Sequence, residues 1–500
     1  MARNEGNARD NYDVVIVGAG TTGLALANLL DRRGMRVAVI DPIVIPCHHP
    51  RGAHIDDECV RLLQTLGMGG VEKTYMAQTG LEIFSPEGER LVNWDVPAHE
   101  TDQGYQLDYQ FFQPDLEATL RGRLAASRHA DLWLGWKATE VRQDGDSTLL
   151  TARHRRNGSV RTITSAWVVG CDGANSRLRE HVSDGMRDLE GSQRSVIVDV
   201  HKFVPITALP ATSTYIRSGA LPFTHQPAAN GISRFQFMLI GDDDPTPFED
   251  PEVIYDLLAP YLAPDSYRIL RTDVYDWHAR LARGWRSGRL LIAGDAAHQM
   301  PPLLGQGMCS GLRDAANLAW KLAAVVRGAA TADLLDTYES ERAPHVEDLI
   351  TESARQSRMI AAAGRGEPIA ATGVVDRRHG PLGPGLGLAH PLRGTLSPQP
   401  RDTGGTLMDD LVGYEFAVLG STRVLDAVDT ATRERWARLG AVTLPDFAPR
   451  ATRWLADAGA DAAIVRPDRY VFAATAGADA LASATTELID QLTGKAVGVA

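Results

Sequence analysis

The sequence predicts an α/β fold organised around a parallel sheet, and three stretches predict it. Residues 13–41, DVVIVGAGTTGLALANLLDRRGMRVAVID, run from an apolar segment into Gly18-x-Gly20-x-x-Gly23. A helical pattern follows, then a second apolar run, Val37 to Ile40, ending in Asp41. A further apolar strand, Ala166 to Val169, leads into Gly170-Cys171-Asp172-Gly173-Ala174-Asn175-Ser176. Residues 289–294, RLLIAG, repeat the pattern into Gly294-Asp295. In open α/β sheets ligands collect beyond the carboxyl ends of the strands, where these glycines and acids fall.

The first stretch is the most informative. Gly18 allows a tight turn, Gly20 lets the backbone approach a pyrophosphate, and Gly23 lets helix and strand pack closely. The helix N-terminus offers unpaired N–H groups and a partial positive charge to phosphates. Asp41 is placed to accept a hydrogen bond from an adenosine ribose. Together these predict a dinucleotide site.

Composition narrows the classes. A chain of 500 residues with 44% hydrophobic and 23% charged residues is ordinary for a globular protein of several domains. The net charge of −12 argues against nucleic acid or an anionic membrane as partner. The polar start, MARNEGNARDNYD, is unlike a signal peptide, and no run of about 18 apolar residues predicts a membrane span. Cys47, Cys59, Cys171 and Cys309 are scattered without a C-x-x-C, so neither disulfide nor metal is expected, and the cytoplasm is the default location.

Along the chain, 113–127 reads as a helix with Pro114 near its start. Residues 131–170 alternate as strands, and 192–240 read as an antiparallel sheet, with strands at 214–217 and 234–240. A long helix spans 307–327, with core stripe Leu312, Ala316, Ala319, Leu322 and no special role for Trp320 or Lys321. A second helix covers 333–361. Residues 362–405, rich in Gly, Pro and Arg, read as a linker wrapping the surface. Beyond it lies a small α/β unit, with strands at 415–419, 462–465 and 470–474 and helices at 429–439 and 477–493.

Two motifs bear on chemistry. The Cys171-Asp172-Gly173 turn can orient polar groups near a pyrophosphate, although an ordinary β-turn has the same pattern. The stretch GDAAHQMPP then GQGM offers more. Asp295 can hold a ribityl hydroxyl. The Gly305-Gln306-Gly307-Met308 turn opens the long helix, and its N–H groups can stabilise an anionic reduced flavin. Pro301 and Pro302 make a stiff loop whose carbonyls are free to accept.

These motifs, in this order and spacing, resemble the FAD-dependent class A aromatic monooxygenases over about residues 12–360. PRGAHIDDECVRLLQTLGM, GISRFQFML, VYDWHARLARGWRSGRLLIAGDAAH and GQGMCSGLRDAANLAWKLAAV are most similar to the 3-(3-hydroxyphenyl)propionate hydroxylase branch. The C-terminal part resembles the thioredoxin-like domain of the phenol hydroxylase branch, without its dithiol. The resemblance implies a Rossmann-like FAD-binding domain in two parts (1–190 and 274–361), a middle antiparallel β-sheet substrate domain (191–273), the linker 362–405 and a thioredoxin-like domain (406–500). It implies bound FAD, transient NADH or NADPH, O2, and a small aromatic substrate that receives a hydroxyl from a flavin hydroperoxide. A homodimer stays open.

By position, the resemblance gives Gly18, Gly20 and Gly23 to the FAD pyrophosphate, Asp41 to the ribose, Arg51 to the phosphate–ribose stretch and Gln113 to the adenosine half. Asp172 serves both FAD and the nicotinamide cofactor. Gly294 and Asp295 serve the ribityl chain. Pro301, Pro302, Gly305, Gln306, Gly307 and Met308 flank the isoalloxazine. Thr21 stands where many relatives have Pro, Asp41-Pro42 replaces Glu followed by Arg, and 203–230 departs from the family.

For the phenol hydroxyl the candidates are His54, Tyr215, Tyr275 and His278. Tyr275 and His278, with Pro301, are the preferred catalytic residues, because their strand runs toward the flavin loop; alternation puts the two on opposite faces. Each candidate is also the type of residue found hydrogen-bonded in a core. Arg217 and Arg234 can pair with a substrate carboxylate or line a solvated sheet. His298 reads as structural, and Asp242-Asp243-Asp244 as a solvated turn. Two other readings remain: oxygenation of a polycyclic secondary metabolite by hydroxylation, epoxidation or Baeyer–Villiger insertion, and FAD binding without turnover.

Overall fold

The computed structural model describes residues 11–46, 51–85, 87–96, 99–216, 221–239, 243–364 and 380–495. Cys47, Arg217 and Asp242 lie outside them. Five strands of the eight-stranded central sheet run parallel, in the order Leu290–Ile292, Val160–Gly170, Asn11–Val17, Val37–Asp41, Ala130–Leu134. Val17 pairs with Gly170 and Ile40, and Gly170 with Ile292. This register brings Gly18, Cys171-Asp172, Gly294-Asp295 and Asp41 to one edge. Strands buried on both faces need unbroken apolar runs, and Val14, Val15, Ile16, Val37 and Val39 are fully buried.

Helices Thr21–Arg32 and Gln306–Val326 pack together on this sheet. A Cβ on Gly311 would lie 2.2 Å from Thr22 Oγ1, so glycine sets how closely they cross. No helix among the described residues is long and apolar enough to cross a membrane.

A second, seven-stranded sheet stands above that edge, in the order Tyr267–Trp277, Gln193–Lys202, Ile232–Leu239, Phe223–Pro227, Ser213–Ile216, Gly80–Phe84, Arg90–Asp95. Its last two strands come from a stretch expected within the first part of the FAD-binding domain. Short strands carry little alternation to reveal their sheet. One face packs Val196, Val198, Phe235 and Phe237 against Ile254 and Leu258 of helix Pro251–Leu258. The other face looks toward the nucleotide edge.

The C-terminal sheet runs Val442–Pro445, Ala417–Gly420, Ala462–Val465, Val471–Thr475, the first pair parallel and the others antiparallel. With helices Thr430–Leu439, Pro449–Asp457 and Ala478–Thr493 this is the thioredoxin-like arrangement. Strand Val442–Pro445 and helix Pro449–Asp457 escape the sequence pattern.

One expectation is refined here and one corrected. The described part of the linker, 380–405, passes between the C-terminal unit and the rest with buried and exposed residues mixed. Leu382, Leu386, Ser397 and Gln399 are inaccessible. Leu388 N donates to Phe472 O at 3.0 Å and Gln399 N to Asp102 O at 2.7 Å. Glycine permits this: a Cβ on Gly383 would lie 2.3 Å from Ser340 O. Trp320 and Lys321 also have a role. Lys321 Nζ donates to Glu341 Oε2 at 2.7 Å, Arg466 grips both oxygens of Glu341 at 2.8 Å, and Trp320 Nε1 donates to Asp468 Oδ2 at 3.1 Å. The face opposite the apolar stripe is thus covered by the C-terminal unit.

Candidate active site

The three turns interlock. Gly18 has φ of +111°, and a Cβ there would lie 2.2 Å from Cys171 O. A Cβ on Gly23 would lie 2.1 Å from Gly18 O, whereas one on Gly20 would meet nothing within 4 Å. Gly18 and Gly23 therefore serve the packing, and Gly20 faces open space. Helices Thr21–Arg32 and Gln306–Val326 both begin at a glycine with no capping side chain. Their first N–H groups have no side-chain cap, and phosphate or an anionic ring edge can satisfy such groups.

Asp41 does more than await a ribose. Its oxygens accept from Ala19 N and Ile43 N, each at 2.7 Å, and so brace the glycine turn. Each oxygen keeps a lone pair for a hydroxyl. Gln113 Oε1 accepts from Arg51 N at 2.9 Å and Gly52 N at 2.6 Å, and its Nε2 donates to Glu117 Oε1 at 2.8 Å. Thr21 joins this network through Glu117 at 3.0 Å, which accounts for a hydroxyl where relatives have proline. Gln113 thus positions the Arg51 loop, leaving the Arg51 residue exposed at the cleft.

Asp172 accepts from Ser176 Oγ at 2.5 Å and Arg177 N at 2.9 Å, fixing its own turn. Arg179 ties that turn to the next, donating to Ala174 O at 2.8 Å and Ala296 O at 3.1 Å. Burial lifts the Asp295 carboxyl above its ordinary range, with His298 and Arg51 opposing, yet the residue is exposed to solvent. Asp295 is thus accessible yet surrounded by protein. Beneath it, buried Asp314 accepts from Gly294 N at 3.0 Å, His298 Nε2 at 2.6 Å and Arg342 Nε at 3.0 Å. Burial opposes the charge of Asp314, but His298 and Arg342 prevail and hold its carboxyl below the usual range. His298 is structural. Asp314 and Arg342 carry no motif in the sequence, so their part in the site shows only in the fold.

The loop over the ring site departs from expectation in two ways. The proline carbonyls are not free: Pro301 O accepts from Ser353 Oγ at 2.7 Å and Pro302 O from Gly305 N at 2.8 Å. The Gln306 side chain points inward, donating to Asp56 Oδ2 at 3.0 Å and accepting from Arg313 at 2.9 Å. Only its backbone can serve a cofactor, alongside Gly307 and Met308. His54 is buried too, with Nε2 2.6 Å from Asp108 Oδ1 and Nδ1 3.2 Å from Gly305 O. It thereby ties the Gly305 turn to Asp108.

On the substrate side the sheet separates the candidates. Tyr215 packs with Met238, Leu81, Ile83 and Leu303, the last on the turn after Pro301. Its hydroxyl is buried with no hydrogen-bond partner among the described residues, and burial pushes its phenol well above its ordinary pKa. Tyr275 shares that sheet face but stands four strands away in the sheet order, roughly 19 Å at ~4.8 Å per strand. Its ring stacks on Trp277, and its hydroxyl accepts from Arg271 at 3.4 Å. His278 lies past the strand end, 3.2 Å from Ser192 Oγ. Leu303, two residues after Pro301, packs against Tyr215. Arg234 is paired with Asp199 at 2.8 Å and donates to Arg51 O at 3.0 Å, tying the sheet to the Arg51 loop.

Asp56, Cys59 and Cys309 bring a carboxylate and two thiols within 4.8 Å. The Arg313 guanidinium lies 2.5 Å from Asp56 Oδ2, so a cation there would meet a positive charge.

Comparison with known proteins agrees with this geometry. The family described as FAD binding domain matches residues 11–353. A 3-(3-hydroxy-phenyl)propionate/3-hydroxycinnamic acid hydroxylase of Mycolicibacterium smegmatis is 33% identical, covering 92% of this chain and 86% of its own. A probable NADH-specific resorcinol 4-hydroxylase of Rhodococcus jostii is 32% identical over 98% and 97%. Among solved structures, aklavinone-11 hydroxylase in ternary complex with FAD and aklavinone has TM-score 0.76 over 98% of this chain and 100% of its own. A flavin-dependent monooxygenase, PieE, in complex with FAD and substrate reaches 0.77 over 96% and 99%. At 23% and 20% identity these two likenesses are of fold.

Proposed function

The chain belongs to the FAD-binding family of flavoprotein aromatic hydroxylases, and we propose that it hydroxylates a small phenolic ring, ortho to an existing hydroxyl, with NADH as reductant. The relatives of similar length are named for hydroxylated benzene rings, and one for NADH. The observation that carries the reading is the Tyr215 hydroxyl, buried without a partner beside the loop that follows Pro301. An unsatisfied buried hydroxyl costs about 1–3 kcal/mol, which a substrate hydroxyl in that pocket would recover.

The residues fit FAD. Gly20 leaves room for a pyrophosphate at an uncapped helix end, Arg51 is exposed to meet it, and Asp295 lines the adjoining cleft. The backbone of Gly305 to Met308 would hold the ring edge. FAD, when bound, would carry the reducing equivalents of NADH to dioxygen and activate it. The chain's part is to orient the phenol and exclude water. Tyr215 stays protonated across the working range, so it donates to the substrate oxygen and favours the electron-rich phenolate. Leu81, Ile83, Met238 and Leu303 keep that contact dry.

Tyr215→Phe tests the reading. With resorcinol or 3-(3-hydroxyphenyl)propionate, kcat/KM is expected to fall roughly 100-fold while flavin absorption is unchanged. An unaltered kcat/KM would remove Tyr215 from the reaction.

A further inference from the structure

We infer that Tyr470, on the C-terminal unit, is a positioning residue for the flavin site: through Glu58 and Arg313 it fixes Gln306, the first residue of the helix whose N-terminus faces the cofactor. This rests on the placement of that helix end proposed above.

The connection is continuous. Tyr470 Oη donates to Glu58 Oε1 at 2.8 Å. Glu58 Oε2 accepts from Arg313 Nε at 2.5 Å. Arg313 Nη1 donates to Gln306 Oε1 at 2.9 Å, and Nη2 to Asp56 Oδ2 at 2.5 Å. Gln306 Nε2 closes the ring on Asp56 Oδ2 at 3.0 Å. All five residues are buried. In a packed interior such groups move together or not at all, because each directional bond constrains the next.

The geometry makes the helix start responsive. Gly305 has φ of +66°, and a Cβ there would lie 2.7 Å from the His54 ring. No slack exists on that side, so a shift of Gln306 passes into the N–H groups of residues 306–308. On the other side a cavity of about 20 Å³ borders Glu58, Arg313 and Tyr470. It gives the Glu58 carboxylate room to turn when the tyrosine hydroxyl is lost. A thioredoxin-like domain without a dithiol thereby acquires a task, holding the flavin helix in register from a residue far along the chain.

A built-in control separates positioning from mere domain adhesion. Tyr414 Oη donates to Ala316 O at 2.5 Å, also from the C-terminal unit to the same helix, but farther along it. Among the described residues it makes no hydrogen bond to Gln306 or to the residues that hold Gln306. Full-length Tyr470→Phe, Tyr414→Phe and Glu58→Gln proteins would be compared for FAD dissociation constant, flavin midpoint potential and unfolding midpoint. Tyr470→Phe and Glu58→Gln are expected to weaken FAD binding roughly three- to tenfold and to shift the potential. Tyr414→Phe is expected to lower the unfolding midpoint with FAD affinity unchanged. Equal effects of the two tyrosine variants on FAD, or none from Tyr470→Phe, would overturn the inference. Met308→Glu tests the reading beneath it: a negative charge at that helix end lowers the flavin potential if the end faces the ring. An unmoved potential would mean that the placement itself is wrong.

Discussion

Gly23 and Tyr215 mark the two limits of what single residues disclose. The Gly23 requirement is local: a Cβ there would strike the Gly18 carbonyl at 2.1 Å, and backbone cannot step aside as a side chain can. Gly23→Ala should destabilise the protein by about 1–3 kcal/mol and weaken FAD binding, as thermal unfolding and FAD titration would show. Such a constraint is legible in sequence because turn, helix and strand are adjacent in the chain. The choice among Tyr215, Tyr275 and His278 was not legible, since it depends on strand order. Tyr275 sits on the edge strand with its hydroxyl toward Arg271, so Tyr275→Phe is expected to leave kcat/KM for a phenol within about twofold. A loss as large as that for Tyr215→Phe would reverse the assignment.

Helix Gln306–Val326 makes the same point at the next scale. Its apolar stripe of Leu312, Ala316, Ala319 and Leu322 follows from helical spacing and is buried. Its other face carries Arg313, Asn317 and Lys321; Asp56 and Glu58 pair with Arg313, and Glu341, Arg466 and Asp468 cover the rest. Charges buried in this way survive only as complete sets. Glu341 is central: burial opposes its charge, but Arg466 and Lys321 outweigh that and hold its carboxyl far below the ordinary value of 4.5. The folded-state pKa is depressed, so the unfolded chain binds the proton more tightly. The stabilisation is therefore present above about pH 4.5 and lost progressively as pH falls below it. Glu341→Gln should cost about 3–5 kcal/mol at neutral pH and flatten the fall in stability on the acid side. Unfolding midpoints measured against pH would show both.

At the scale of the molecule, the parallel sheet and its nucleotide edge were readable, because three motifs end three strands at the same level. The thioredoxin-like unit was readable in outline from its strands. Its attachment was not. Arg61 reaches Asp409 at 2.7 Å, Tyr470 reaches Glu58 and Arg466 reaches Glu341, across 125 to 412 residues of chain. These contacts join the C-terminal unit to the FAD-binding part, so the two are expected to unfold in one calorimetric transition. Removing 406–500 should strip Glu58 of Tyr470, Arg61 of Asp409 and Glu341 of Arg466, and yield no folded FAD-binding protein. Two separate transitions, or a stable truncated protein, would show the interface to be dispensable.

The central claim, that this fold oxygenates a small phenol, is tested most directly with isotopically labelled dioxygen. FAD-loaded protein would be supplied with NADH and either resorcinol or 3-(3-hydroxyphenyl)propionate, and the product examined by mass. Substrate-stimulated NADH consumption is expected, with one labelled oxygen atom on the ring beside the original hydroxyl. NADH consumed only to hydrogen peroxide, or not at all with either phenol, would contradict it.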